Sequence, residues 1–243
     1  MTVDVVVPAA RGNAAQLLVQ TLARQTHRPD RVLLIGNEAD AIDPMGLDVR
    51  LVRYQTSYHT GPGDVCLRRN IGIFFSDADT LIFQDDDQMA PPDMVESALR
   101  IIHSEGYVWG HHRYINFGDD PMSVVDLPPS AGQSREREAN TYHGWQSCYA
   151  GMFGATRRLM LDLGGFDMVF QGRIGNEDQQ LGLRLLKRFG LHHVYIHEPP
   201  FAWHPTHSNA LPVPDARAFD LEAAFNTSAP VLGFDPTLVT VTI

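Results

Sequence analysis

Apolar residues fall in short continuous runs separated by stretches of helical spacing. Val3 to Pro8 is rich in β-branched residues, and Val32 to Ile35 and Leu81 to Phe83 are wholly apolar. Runs of that kind suit strands buried on both faces of a parallel sheet. Between the first two, Leu17, Leu18, Thr21 and Leu22 mark one helix face within Ala14 to Gln25, so the chain opens as strand, helix, strand. Val49 to Tyr54 predicts another strand, and the Gly61-Pro62-Gly63 turn leads into a helix over Val65 to Phe75. Pro91 and Pro92 suit the first turn of a helix continuing from Met94 to His103, because a first-turn residue needs no backbone donor. Gly106 to Phe117 and Ser147 to Gly154 read as strands, and Arg157 to Leu163 as a helix stopped by Gly164-Gly165. Asp178 to Phe189 is amphipathic, with Leu181, Leu185, Leu186 and Phe189 on one side. His192 to Ile196 predicts a short strand ended by Pro199-Pro200, and Ala216 to Phe225 a late helix. Gly118 to Asn140 lacks periodicity and reads as a mobile or acceptor-facing loop. The alternation predicts an α/β fold, a mostly parallel central sheet flanked by helices.

Composition narrows the partners. With 243 residues, 44% of them hydrophobic, the chain suits one large α/β domain with at most a small appendage. Nineteen basic residues against 29 acidic ones give a net charge of -10, which disfavours nucleic acid as the main partner. Cys66 and Cys148 form no CxxC pair, which fits a reducing, cytoplasmic setting. No apolar run reaches the roughly 20 residues that span a bilayer, and no signal-peptide pattern opens the chain. A homo-oligomer is left open.

The chemistry concentrates at Asp85-Asp86-Asp87, directly after the apolar run that ends at Phe83 and Gln84. Adjacent carboxylates repel unless a cation or strong donors offset them. At a strand end facing a ligand cleft, a hard divalent ion and phosphate oxygens fit. A solvated turn that caps a helix is the ordinary alternative. Glu177 and Asp178 open a helix, where carboxylates cap free amides and meet the dipole, and where one could equally serve as a general base. Arg68 and Arg69 read either as phosphate contacts or as surface cations. The histidines from His192 to His207 lack zinc-site spacing.

Taken in order, these motifs resemble the inverting family-two glycosyltransferases, which have the GT-A fold with its Rossmann-like sheet. Val5-Val6-Val7-Pro8 with Arg11 and Asn13 is similar to that family's first strand and nucleotide loop. Leu67-Arg68-Arg69-Asn70-Ile71-Gly72 is similar to its ARNxG helix, and Leu81 to Asp87 to its DxD strand. Tyr149 to Gly154, then Gly164-Gly165-Phe166-Asp167, then Glu177-Asp178, resemble the acceptor strand, the GGFD turn and the ED pair. The resemblance runs over about residues 3 to 207. It implies a nucleotide-sugar donor, most commonly UDP-linked, and transfer to an acceptor hydroxyl. Asp178, beside Glu177, would be the base. Asp87 and Asp85 would hold Mn²⁺ or Mg²⁺, with His204 completing the shell in some members. Pro8, Ala9, Arg11, Asn37, Glu38, Asp85 and Asp86 would line the nucleotide-sugar site, with Arg69 facing the leaving diphosphate. Trp145 and Gly151 would lie on the acceptor side, although Trp145 suits a core position equally well. The domain expected is 1–208, divided into a nucleotide-sugar half, 1–105, and an acceptor and catalytic half, 106–208; residues 209–243 form a C-terminal extension. Where the family often carries an acidic pair after its second strand, this chain has Ile35-Gly36-Asn37-Glu38.

Two rival readings use the same residues. A sugar-phosphate nucleotidyltransferase also needs metal carboxylates, but no glycine-rich, lysine-bearing phosphate loop stands near the N-terminus. A non-catalytic nucleotide-sugar-binding protein would leave the ED pair unused. A dehydrogenase is disfavoured because no GxGxxG follows the first strand.

Overall fold

A computed structural model describes residues 1–10, 14–36, 42–54, 64–118, 120–134, 139–170 and 176–206, and the backbone of 239–242. Strands β1 (Val3–Pro8), β2 (Arg31–Ile35), β3 (Val49–Tyr54) and β4 (Thr80–Gln84) alternate with helices α1 (Ala14–Ala23) and α2 (Val65–Phe75). Helix α3 (Met94–Glu105), β5 (Tyr107–Ile115), β6 (Thr141–His143), β7 (Met152–Thr156) and α4 (Arg157–Leu163) follow. Then come α5 (Glu177–Phe189), β8 (Val194–Pro205) and β9 (Val239–Thr242). The strands form one sheet in the order β6-β8-β5-β7-β4-β1-β2-β3-β9. β1 to β5 and β8 share one direction, while β6, β7 and β9 oppose them, so the sheet is mostly parallel as expected. From β1 the chain steps outward to β2 and β3, then returns to lay β4 on the other side of β1. That reversal opens a crevice between the C-terminal ends of β1 and β4, where α/β sheets bind ligands.

Both faces of the sheet are covered, which accounts for the unbroken apolar runs. Val6, Leu33, Ile35 and Phe83 pack with Ile71 of α2, Met160 of α4 and Leu181 and Leu185 of α5. Val5, Val7, Leu34 and Ile82 pack with Leu18 and Leu22 of α1 and Met94 and Ala98 of α3. Helix α2 approaches β1 closely at Gly72, where a Cβ would meet Val6 Cγ1 at 2.3 Å. Gly72→Ala gains up to ~1 kcal/mol of helix propensity. It also forces a β-branched neighbour with one strongly preferred rotamer, and overpacking of that kind costs about 1–3 kcal/mol. We expect the variant to be less stable by roughly 1–2 kcal/mol in urea denaturation; an unchanged midpoint would show that β1 yields there.

Several expected boundaries move for local reasons. Pro91 and Pro92 precede α3 instead of opening it: Met94 N donates to Pro91 O at 3.0 Å, so a tight turn comes first. Strand β7 begins only at Met152, because Trp145–Ser147 winds into a 3₁₀ turn. Pro199 and Pro200 do not end the eighth strand. Its pairing with β5 jumps from Gly110↔His197 to His111↔Phe201, so Glu198, Pro199 and Pro200 form a bulge where no ladder donor is needed. The 118–140 stretch is anchored where it is described: Val124 and Val125 are buried with Met89, Phe201 and Trp203, and Gln133 pairs with Tyr114. Strand β9, which the sequence reading placed in an extension, lies antiparallel to β3. The expected helix at Ala216 to Phe225 falls outside the described residues. Among the described residues, no helix is long and apolar enough to cross a membrane.

Candidate active site

The three aspartates leave β4 into the crevice and separate. Asp86 is 1% exposed, and its Oδ2 accepts a hydrogen bond from Ala10 N at 2.7 Å. Its carboxylate therefore joins the ends of β1 and β4. Asp85 pairs with Arg69 Nη2 at 3.1 Å. Asp87 Oδ1 lies 3.9 Å from His204 Nε2. Sending the three carboxylates in different directions, with an amide at Asp86 and a guanidinium at Asp85, relieves their mutual repulsion. Pro8 and Ala9 continue β1 on the near wall of the crevice, where Ala9 N donates to Ile35 O at 2.9 Å. Arg11, Asn37 and Glu38, expected in the base and ribose pocket, lie outside the described residues.

Helix α2 supplies three successive side chains, each to a different motif. Arg68 is buried against Asp64, with Nε 2.7 Å from Oδ1, and it donates to Tyr54 Oη at 3.0 Å and to the carbonyl of Ala9. It is neither a surface cation nor an open phosphate contact, because its donors already hold the end of β1. Arg69, 4% exposed, reaches Asp85 through Nη2 and Glu177 through Nη1, both at 3.1 Å, and lies over the Phe166 ring at 5.1 Å. Arg69, expected to face the leaving diphosphate, bridges two carboxylates. Asn70 pairs with the backbone of Phe166 in both directions, Nδ2 to O at 2.8 Å and N to Oδ1 at 2.7 Å. The GGFD turn is thereby locked to the helix that contacts the DxD and ED residues. Arg184 on α5 holds the same turn from the other side, donating to the carbonyls of Leu163 and Gly165.

Glu177 and Asp178 form the first turn of α5, preceded by Asn176 in the left-handed region at φ 77°. Both carboxylates are buried. Asp178 accepts from its neighbour Gln179 N at 2.7 Å and from Ala150 N, beside Gly151, at 3.2 Å. Burial, reinforced by the Glu177 charge and opposed by Arg69, pushes its pKa up to about 7. Burial likewise raises Glu177, with Arg69 as the main counterweight. A carboxyl poised near neutrality at the edge of a cleft suits general-base work.

Gly151 sits at the centre of the site. A Cβ there would lie 2.6 Å from both Asp85 Oδ2 and Gln88 Nε2, and 3.0 Å from His112 Cε1. Trp145 is half-buried and packs against the larger core cluster, in keeping with the core alternative. Gln88 and His112 were not singled out from sequence. Gln88 directly follows the acidic triplet, and its Oε1 accepts from Asp85 N at 3.4 Å; that adjacency was the available signal. His112 had none, because only the β5–β8–β7 packing brings it to Gly151.

Among the described residues, buried polar atoms without a hydrogen-bond partner in this region include Arg69 Nε, Gln84 Oε1, Gln88 Nε2 and Glu177 Oε2. Unsatisfied groups in a native fold need an explanation, and a polar ligand supplies one. A divalent ion also fits locally. His204 Nδ1 is 2.9 Å from the Pro205 carbonyl, which can only accept, so in the neutral ring Nε2 carries the lone pair turned toward Asp87. Their 3.9 Å separation exceeds the roughly 3.0 Å of adjacent octahedral ligands, so the two side chains would have to draw together to share one ion. Among the described residues no three His, Cys, Asp or Glu side chains converge, so an ion would draw its other ligands from phosphate and water.

No protein-family model matches the chain, and no curated protein matches it in sequence. Solved structures do. TarS residues 1–349 from S. aureus superposes with a TM-score of 0.58 at 14% identity, over 84% of this chain and 60% of that one. Its complex with UDP-GlcNAc gives a TM-score of 0.59 at 14% identity, over 86% and 60%. Its complex with UDP gives 0.56 at 15% identity, over 85% and 61%. The chain thus spans about 60% of those structures and shares their GT-A fold.

Proposed function

We propose that the chain is an inverting glycosyltransferase that moves a sugar from a UDP-sugar to an acceptor hydroxyl. The observation that carries this reading is the Asp85–Arg69–Glu177 bridge beside Asp178. It draws the end of β4, where a donor would bind, and a buried base with a pKa near 7 into one site. The fold shared with TarS, whose structures hold UDP and UDP-GlcNAc, supports the choice of donor.

The nucleotide would lie across the ends of β1 and β4 against Pro8 and Ala9, with its diphosphate toward Asp87. Asp87 and His204 would hold Mn²⁺ or Mg²⁺, with Asp85 joining them on release from Arg69; the ion supplies charge neutralisation at the diphosphate. Asp178 accepts the acceptor hydroxyl proton as the oxygen bonds to the anomeric carbon. The bond from that carbon to the diphosphate oxygen breaks, and its electron pair leaves on the diphosphate. Attack opposite the leaving group inverts the anomeric configuration. The amides of Ala150 and Gln179 hold Asp178 in place through the step.

Calorimetry with nucleoside diphosphates, with and without Mn²⁺, tests the reading. UDP is expected to bind in a manganese-dependent way, and Asp87→Ala to weaken it by roughly tenfold to hundredfold, the loss typical of a disturbed metal shell. Failure of wild type to bind any nucleoside diphosphate would overturn it. Release of UDP, as against pyrophosphate, separates glycosyl transfer from nucleotidyl transfer.

A further inference from the structure

Arg69 contacts one carboxylate on each side of the cleft. Its guanidinium is 4% exposed, its Nη2 is 3.1 Å from Asp85 and its Nη1 is 3.1 Å from Glu177. The Phe166 ring covers it at 5.1 Å, and that ring is held by the two Asn70 hydrogen bonds. A fork so fixed cannot follow one carboxylate without weakening its hold on the other.

We infer that Arg69 is a positioning residue that makes the donor-side carboxylate Asp85 and the base-side carboxylate Glu177 depend on each other. When Asp85 turns toward a cation or a ribose, Arg69 loses one counter-charge and is left to Glu177 alone. Glu177 is thereby held more firmly at the head of α5, one residue from Asp178. The base is thus set more tightly with donor present than without it. In the reverse sense, loss of Glu177 leaves Arg69 wholly to Asp85 and makes Asp85 harder to recruit. The inference rests on the donor and base assignments proposed above.

Two measurements test it. The first is UDP affinity in the presence of Mn²⁺. Glu177→Gln, although across the cleft from the nucleotide, is expected to weaken UDP by about threefold to tenfold, the range for members of one ion-pair network. In the Arg69→Met background the same change is expected to alter affinity less than about twofold. A role confined to holding the fold would not make one effect depend on the other residue. Equal effects in the two backgrounds, or none in either, would overturn the inference. The second is thermal unfolding without ligand, which decides the matter even if wild type binds no UDP and the donor reading falls. With Arg69 present, Asp85→Asn combined with Glu177→Gln is expected to lower Tm by more than the two single shifts together, because the double change strands a buried cation. With Arg69→Met, the double change is expected to lower Tm no more than that sum. Additivity in both backgrounds would refute the coupling. Arg69→Gln, which removes both the buried cation and the fork, replaces Arg69→Met if that variant does not fold, with the same expectations.

Discussion

Asp178→Asn is expected to lower turnover by about 10²- to 10⁴-fold, the range of a general base's contribution, while UDP affinity stays within about twofold of wild type. The amide keeps the side chain's shape and an acceptor oxygen for Ala150 N, but it cannot take the acceptor proton. Normal turnover in this variant would remove Asp178 from the mechanism. The wild-type pH profile provides an independent check. Because the Asp178 carboxyl is pushed up to about 7, kcat/KM is expected to rise with pH through that value as the base ionises. Stability moves the opposite way. A folded pKa above the ordinary 3.8 means that the folded chain holds this proton more tightly than the unfolded one. The contribution is complete below pH 3.8 and is lost as pH climbs through about 7, so this group alone makes the protein less stable over that window. In Asp178→Asn that component of the pH dependence disappears. A pH-stability curve identical to wild type would show that Asp178 titrates normally.

Arg68→Met is expected to cost about 3–5 kcal/mol of stability, more than any other substitution considered, although Arg68 is not placed to touch either substrate. The guanidinium and Asp64 are 2% and 1% exposed. Methionine would leave a carboxylate in the interior without its cation and strip donors from Tyr54 Oη and Ala9 O. Adding Asp64→Asn should recover part of the loss, because the stranded charge is then gone. Urea denaturation of the single and double variants measures both. A single-variant loss under about 1 kcal/mol would mean that water reaches Asp64 and the pair is not sealed.

The fold was readable where one physical rule dominates. Val3–Pro8 keeps its predicted bounds because burial on both sheet faces leaves an unbroken apolar run, and Val49–Tyr54 and Val65–Phe75 keep theirs as well. The eighth strand misled for the converse reason. Proline is a strand breaker on average, yet at Pro199 and Pro200 a bulge opposite Gly110 and His111 removes the need for their amide donors. The carboxylates of the site were legible as residues but not as partners. Asp85, Asp86 and Asp87 look alike in sequence, and only the packing of β1, α2 and β8 around β4 sends them to Arg69, Ala10 and His204. Arg68 and Arg69 carry the same lesson: adjacent on one helix, they point to different strand ends, and no pattern of charge along the chain distinguishes them.

Strand β9 has a consequence for handling the protein. It pairs antiparallel with β3, from Leu51↔Thr242 to Tyr54↔Val239, and so supplies the outer margin of the sheet. A version shortened to end near residue 208 would leave the backbone amides and carbonyls of β3 open along that margin, the template through which strands of separate molecules join. Such a version should keep the crevice between β1 and β4, which lies behind β3, β2 and β1 from the new edge, yet self-associate as its concentration rises. Residues 239–242 thus act as a guard against aggregation, and any shortened form used in assays should retain them or carry a charged side chain on β3 in their place.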